Sequence, residues 1–107
     1  MTTSRLDTLR AMVERAPDNA LARFGLANEL LKAAQWEEAA VQLQHYLASH
    51  DDEGNGYGRL AQACEALGRM DEAKEALRRG IAAARRFGHP GMANELSARL
   101  DELEESA

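Results

Sequence analysis

The residues that could support metal chemistry lie near the middle of the chain. His45, His50 and the acidic segment 51–53 (Asp-Asp-Glu) combine imidazole and carboxylate groups, which together bind divalent cations. The two histidines are five residues apart, so a helix would not place them on one face. No known ligand spacing is matched. The sequence therefore predicts a solvated helix end, with no metal and no cofactor.

The segment that follows, Gly54 to Gly58, has the composition of a phosphate loop. Such loops work because bare backbone amides approach the phosphate at a helix start. Here the preceding segment is not a strand, no Lys-Ser or Lys-Thr pair follows, and the acids at 51–53 would repel an anion. We predict a flexible turn between helical units.

Reactive side chains elsewhere are few. Cys64 is the only cysteine, and without a nearby histidine we predict that it is a small buried hydrophobe. Four arginines, at 78, 79, 85 and 86, form a basic cluster, of which the last two would offset a helix dipole. Because no nucleophile with a base, acid–base pair or metal cluster is found, the chain is not expected to be an enzyme.

Composition sets further bounds. The chain has 107 residues and a net charge of −5, which fits one domain and disfavours nucleic acid and acidic membrane surfaces as partners. A single cysteine indicates a reducing compartment. The start of the chain lacks the apolar core of a signal peptide, and no apolar run reaches the roughly 20 residues that span a bilayer. We expect a soluble, cytoplasmic protein.

One stretch organises the rest of the chain. Residues 26–39, LANELLKAAQWEEA, return in outline 34 residues later as LAQACEALGRMDEA at 60–73. A fixed period of this length indicates a supersecondary unit that buries its apolar face only by stacking on a neighbour. The coinciding positions are Leu26/Leu60, Ala27/Ala61, Leu30/Cys64, Ala34/Gly68, Trp36/Met70, Glu38/Glu72, Ala39/Ala73 and Leu43/Leu77.

These residues resemble the tetratricopeptide repeat, a helix–turn–helix unit of the same length. The small residues Ala34 and Gly68 stand where that family ends its first helix, and Ala39 and Ala73 stand at the closest helix approach, where only a methyl fits. The eleventh position of the repeat, often aromatic in the family, departs from the pattern but stays apolar. The resemblance implies an all-α helix-turn-helix repeat solenoid of six antiparallel helices in a right-handed superhelical stack.

The repeat register divides the chain. We predict one domain with an opening half-repeat helix at 2–16, repeat 1 at 20–53, repeat 2 at 54–87 and a capping helix at 91–105. Ser4 or Thr3 can cap the first helix and Asp18 or Asn19 the second, and Pro17 separates the two. Within the repeats we predict helices at 20–33, 36–49, 56–67 and 70–87.

For function, the resemblance implies a protein or peptide partner bound in a concave groove lined by first helices. Its ligand-facing positions correspond to Phe24, Asn28, Leu31 and Lys32 in repeat 1 and to Asn55, Arg59, Gln62 and Ala66 in repeat 2. Phe24 has the character of a binding anchor, or else it packs under the opening helix. A clamp for chaperone tails is not supported, because only Asn28 matches its pattern.

A structural role is the alternative. The opening helix lacks its first-helix partner, so Leu6 or Met12 could remain exposed and drive assembly of a homodimer or an end-to-end stack. The sequence alone leaves the partner, the oligomeric state and the choice between groove and convex face open.

Overall fold

A computed structural model describes residues 4–106. This part of the chain is all-α and contains no strand, as the repeat pattern predicts. It divides into two compact units, one ending at His50 and one starting at Asp51. The helices are α1 (Arg5–Arg15), α2 (Ala20–Lys32), α3 (Trp36–Ser49), α4 (Asn55–Ala66), α5 (Met70–Arg86) and α6 (Pro90–Glu105).

The observed boundaries differ from the predicted ones by one to three residues. The Ser4 hydroxyl accepts a hydrogen bond from Asp7 N, so α1 begins at Arg5; the predicted positions Thr2 and Thr3 lie outside the described residues. Asn19 caps α2 through its bond from Ala22 N. α6 starts at Pro90, one residue earlier than predicted, because proline suits the first turn of a helix.

The first unit packs α1 on α2 and α2 on α3. Its core contains Leu26, Leu30 and Leu43, each at most 1% exposed. Ala27 and Ala39 are fully buried, consistent with the steric reason for alanine at the helix crossing. The further buried apolar residues of this unit are Leu9, Val13, Ala22, Leu31, Ala40 and Tyr46.

The guanidinium of Arg10 fastens α1 to α3. Its Nε and Nη2 donate to the two carboxylate oxygens of Glu38 at 2.9 and 2.7 Å, which is the bidentate geometry that makes arginine–carboxylate pairs strong. This contact holds the pKa of Glu38 below its ordinary value, chiefly through the hydrogen bond. The opening helix is thus held by polar as well as apolar contacts.

The second unit packs α4 and α6 against α5. Its core is built from Ala61, Cys64, Ala73, Ala76, Leu77, Ile81 and Leu96. Cys64 is 2% exposed, which confirms that it is buried as predicted. None of the described helices is both long and apolar enough to cross a membrane.

Gly80 allows close contact within this core. It lies inside α5, and a Cβ at this position would come within 2.9 Å of Tyr57 Cβ and 3.0 Å of Leu96 Cδ1. Real Cβ atoms do not approach so closely. The glycine therefore permits α4 and α6 to approach the same turn of α5.

Candidate functional site

Helix α2 carries the first group of predicted site residues. Phe24 is half-buried, and its ring lies 4.8 Å from the ring of Tyr46 on α3. Tyr46 in turn stacks on His50 at 4.9 Å. The predicted alternative placed Phe24 under the opening helix α1. The aromatic residue that contacts Phe24 lies on α3.

Two further residues of this group differ in how they are placed. The Oδ1 atom of Asn28 is buried and accepts no hydrogen bond from any residue in 4–106, although buried polar atoms are normally paired. Leu31 is only 6% exposed, so it is a core residue and does not take the ligand-facing position that the resemblance implies. Its spacing from Asn28 suggested a shared face, but the buried arc of α2 is wide enough to include it.

Lys32 is exposed and already paired. Its Nζ lies 3.3 Å from Glu29 Oε1, and Arg5 Nε lies 3.0 Å from the same oxygen. These two cations hold the pKa of Glu29 below its ordinary value, the hydrogen bond from Arg5 being the larger cause.

Sequence reasoning missed Leu21. Its side chain is 79% exposed, the highest value among the large apolar residues that are exposed in the described chain. Leu21 precedes Phe24 by three residues and Asn28 by seven on α2, so it belongs on the same side of the helix. The missed signal was in the sequence: a leucine in the first turn, off the 26/30 core stripe.

The second group of predicted residues does converge. Asn55, Arg59 and Gln62 of α4 line a cavity of about 210 Å³. The same cavity is lined by Gly58 and by four residues of α6, which are Met92, Glu95, Leu96 and Arg99. The α6 contribution was not predicted, because a capping helix was assigned only the task of covering the core. Ala66, also predicted in this group, is exposed and lies outside the lining.

Arg99 is held in place at the edge of this cavity. Its Nη2 donates to the Gly58 carbonyl at 3.1 Å and to Glu65 Oε2 at 3.3 Å. A Cβ at Gly58 would lie 3.1 Å from the Arg99 guanidinium. The cavity thus combines a fixed cation with amides, one carboxylate and an apolar floor.

The remaining chemical candidates are structural. Asp52 is 2% exposed, and its Oδ1 accepts hydrogen bonds from the amides of Gly54 and Gly56 at 2.7 and 2.8 Å. The helix start that resembled a phosphate loop therefore binds its own carboxylate. Residues 4–106 hold no group of three or more His, Cys, Asp or Glu side chains arranged for a metal.

The two units thus consist of antiparallel helices with small residues at their crossings, which defines an α-helical repeat protein. The tetratricopeptide repeat family model matches residues 1–84, and the chain belongs to that family. Repeats of this family bind protein partners and are in general not catalytic.

Two individual proteins are similar to this chain over most of its length. The TPR repeat-containing protein PA0015 of Pseudomonas aeruginosa is 31% identical over 99 residues, or 92% of this chain and 94% of that protein. The solution structure of protein BPP2914 from Bordetella parapertussis has a TM-score of 0.82 and 25% identity, covering 98% of this chain and 91% of that one.

A partial match extends to a larger protein. The beta-barrel assembly-enhancing protease of Escherichia coli is 38% identical over 69 residues. That segment is 64% of this chain but only 14% of the protease. The similarity therefore concerns a short segment of a much longer protein.

Proposed function

We propose that this chain is a non-catalytic interaction module that binds a peptide or helix of a partner protein through its first-helix faces. The observation that carries the proposal is the cavity of the second unit, where Asn55, Arg59 and Gln62 meet α6. Its volume of about 210 Å³ is below the roughly 300–1,000 Å³ of small-molecule sites. It suits one side chain of a partner better than a free metabolite.

The chemistry of the cavity favours a mixed partner segment. Met92 and Leu96 supply apolar surface, while Arg59, Arg99 and Glu95 supply charge of both signs. An arginine-rich pocket with an apolar floor and polar margin is typical of interaction hot spots. A partner side chain with an apolar stem and a polar end would use both parts.

The face of α2 supports the same function in the first unit. Leu21 offers apolar contact, since it is 79% exposed. Asn28 lies seven residues after Leu21 on the same side of α2 and remains a proposed contact. Phe24 and Lys32 remain proposed contacts, whereas Leu31 is omitted because it is buried. Their assignment to one concave groove stays a prediction.

The test is affinity capture with charge-insertion variants. Leu21→Arg combined with Gln62→Arg places bulky charge on both proposed faces at exposed positions. Val41→Arg combined with Met70→Arg is the matched control, because those side chains are 40% and 43% exposed on α3 and α5. We expect the first pair to lose bound proteins that the wild type and the control retain. Equal retention by both variants, with unchanged circular dichroism, would refute the proposal.

Self-assembly is a second candidate, favoured by one observation. Met12 on the opening helix is 40% exposed and Leu6 is half-buried, so this helix presents apolar surface to solvent. Light scattering across a concentration series distinguishes the candidates. A dimer that Met12→Glu converts to a monomer would support assembly, whereas a monomer at high concentration would exclude it.

A further inference from the structure

We propose a second interaction surface on α4 and α5 of the second unit, which binds an acidic peptide segment. This basic surface consists of Tyr57, Arg79, Ala82, Ala83 and Arg86, which line a depression of about 250 Å³. None of these residues lines the α4–α6 cavity. The proposal therefore adds a site to the function argued above and does not depend on it.

The cationic character of the surface rests on two arginines. Arg79 lies over the ring of Tyr57, 5.3 Å from its centroid, and makes no ion pair with any described residue. Neighbouring Arg78, by contrast, pairs with Glu104 at 3.1 Å. The aromatic contact orients the Arg79 guanidinium, yet leaves its N–H donors available for a ligand.

Arg86 lies at the other end of the surface and uses only part of its hydrogen-bonding capacity within the protein. One nitrogen donates to Asp51, and its guanidinium lies 5.2 Å from the centroid of Phe87. The Arg86 side chain is 62% exposed and that of Asp51 is 71% exposed, so this ion pair contributes little stability. A guanidinium has five N–H donors, and most of those of Arg86 face solvent.

The distance between Arg79 and Arg86 determines which spacing of acidic residues a ligand must have. Arg79 and Arg86 are seven residues apart, which is about 10 Å along a helix at 1.5 Å per residue. A polyproline II peptide has three residues per turn and rises about 3.1 Å per residue, so carboxylates three residues apart lie on one side of it and span about the same distance. The alanines between the arginines leave room for the intervening side chains, and Phe87, 42% exposed, adds an aromatic edge.

A peptide fits better than other anions. Two separated cations match two carboxylates, whereas a nucleic acid presents a continuous row of phosphates to a chain of net charge −5. Arginine and aromatic residues are also the types enriched in protein interfaces. We therefore assign the surface to a protein segment with acidic residues at positions i and i+3.

The probe is a synthetic peptide, Ac-Gly-Glu-Leu-Ala-Glu-Tyr-Gly-NH2, which lacks terminal charges. Its match with both Glu replaced by Gln is the control ligand. Titrations are followed by ¹⁵N-edited NMR at the arginine Nε–Hε resonances of the intact protein. We expect saturable shifts at Arg79 and Arg86 with the acidic peptide. Binding should weaken about tenfold with the Gln peptide, as loss of charge-assisted hydrogen bonds predicts.

Variants supply the second half of the test. Arg79→Gln and Arg86→Gln should each weaken binding of the acidic peptide by about tenfold. Arg85→Gln, at an exposed neighbour outside the surface, should leave that binding unchanged. Equal binding of both peptides, equal loss with Arg85→Gln, or no saturable shift would overturn the proposal. So would preferential binding of an oligothymidylate, or a protein dimer that Arg79→Gln dissociates. Gln62→Arg should leave peptide binding unchanged, which separates this test from that of the α4–α6 cavity.

Discussion

Ala34 is held in an unfavourable backbone conformation. Its φ of 56° is the only positive value among non-glycine residues of the described chain. The conformation completes a Schellman motif after α2, in which Ala34 N bonds Leu31 O and Gln35 N bonds Leu30 O. Gly68 and Gly88 complete the same motif after α4 and α5, with φ values of 75° and 74°.

Replacing Ala34 with glycine should stabilise the protein. A left-handed conformation costs a non-glycine residue roughly 1–2 kcal/mol, and the greater unfolded-state freedom of glycine offsets part of that gain. We expect Ala34→Gly to raise the free energy of unfolding by about 0.5–1 kcal/mol in urea denaturation.

Two controls accompany this prediction. Gly68→Ala should lower the free energy of unfolding by about 1 kcal/mol from backbone strain alone, because a Cβ there meets nothing within 4 Å. Ala33→Gly should also be destabilising, since Ala33 has an ordinary φ of −87° and gains nothing from glycine. A destabilised Ala34→Gly would contradict the account.

The Arg10–Glu38 pair predicts an acid dependence of stability. The pKa of Glu38 is lowered from 4.5 in the folded protein, mainly by the hydrogen bond from Arg10. The carboxylate then contributes its full stability above pH 4.5 and loses it as the pH falls through the folded pKa. Arg10→Gln removes that contribution.

Urea denaturation at neutral pH and in acid measures this effect. The stability difference between wild type and Arg10→Gln should be largest at neutral pH and should shrink in acid, where Glu38 is protonated in both proteins. Arg15→Gln is the control, because Arg15 is exposed and makes no ion pair within residues 4–106. A pH-independent difference would show that Arg10 acts by packing alone.

At the residue scale, the sequence predicted a buried residue and helix caps, but it did not predict which residues contact each other. The positions of Cys64 and of the caps Ser4 and Asn19 followed from pattern and are confirmed. The role of Arg10 did not, because its partner Glu38 lies 28 residues away and is brought close only by the fold. The bonds from Gly54 and Gly56 to Asp52 are local, and this cap was missed. Leu31 was misassigned because a helical wheel fixes angle but not the width of the buried arc.

At the scale of elements, α5 depends on a glycine in its interior. Glycine there costs about 1 kcal/mol of helix propensity relative to alanine, but a Cβ at Gly80 would approach Tyr57 Cβ at 2.9 Å. We expect Gly80→Ala to lower the free energy of unfolding by about 1–2 kcal/mol, because overpacking outweighs the gain in propensity.

Gly91→Ala is the matched control for this prediction. Gly91 lies in the first turn of α6, and a Cβ there meets nothing within 4 Å. Its stability should stay within about 0.5 kcal/mol of wild type in the same denaturation. Greater stability of Gly80→Ala than of wild type would show that the helices can separate to admit a methyl group.

Helix number and boundaries were predictable because each helix has a local signal. α3 was predicted at its observed bounds, and the other boundaries follow from the caps and turns described above. The contribution of α6 to the cavity was not predictable. It follows from how α6 packs on α5.

At the scale of the whole molecule, family membership followed from the 34-residue period and is confirmed by the match over residues 1–84. The partner cannot be derived from that period, because one fold serves many ligands. In the function proposed here, recognition rests on exposed residues outside the repeat pattern, such as Leu21 and Gln62.

The most direct test of the interaction function is site-specific photo-crosslinking in the organism that encodes the chain. Benzoylphenylalanine would be introduced singly at positions 21 and 62 on the proposed faces, and at positions 41 and 70 as exposed controls on α3 and α5. We predict that positions 21 and 62 crosslink to segments of another protein and that the controls do not. Crosslinks confined to the control positions, or only to this chain itself, would contradict the account.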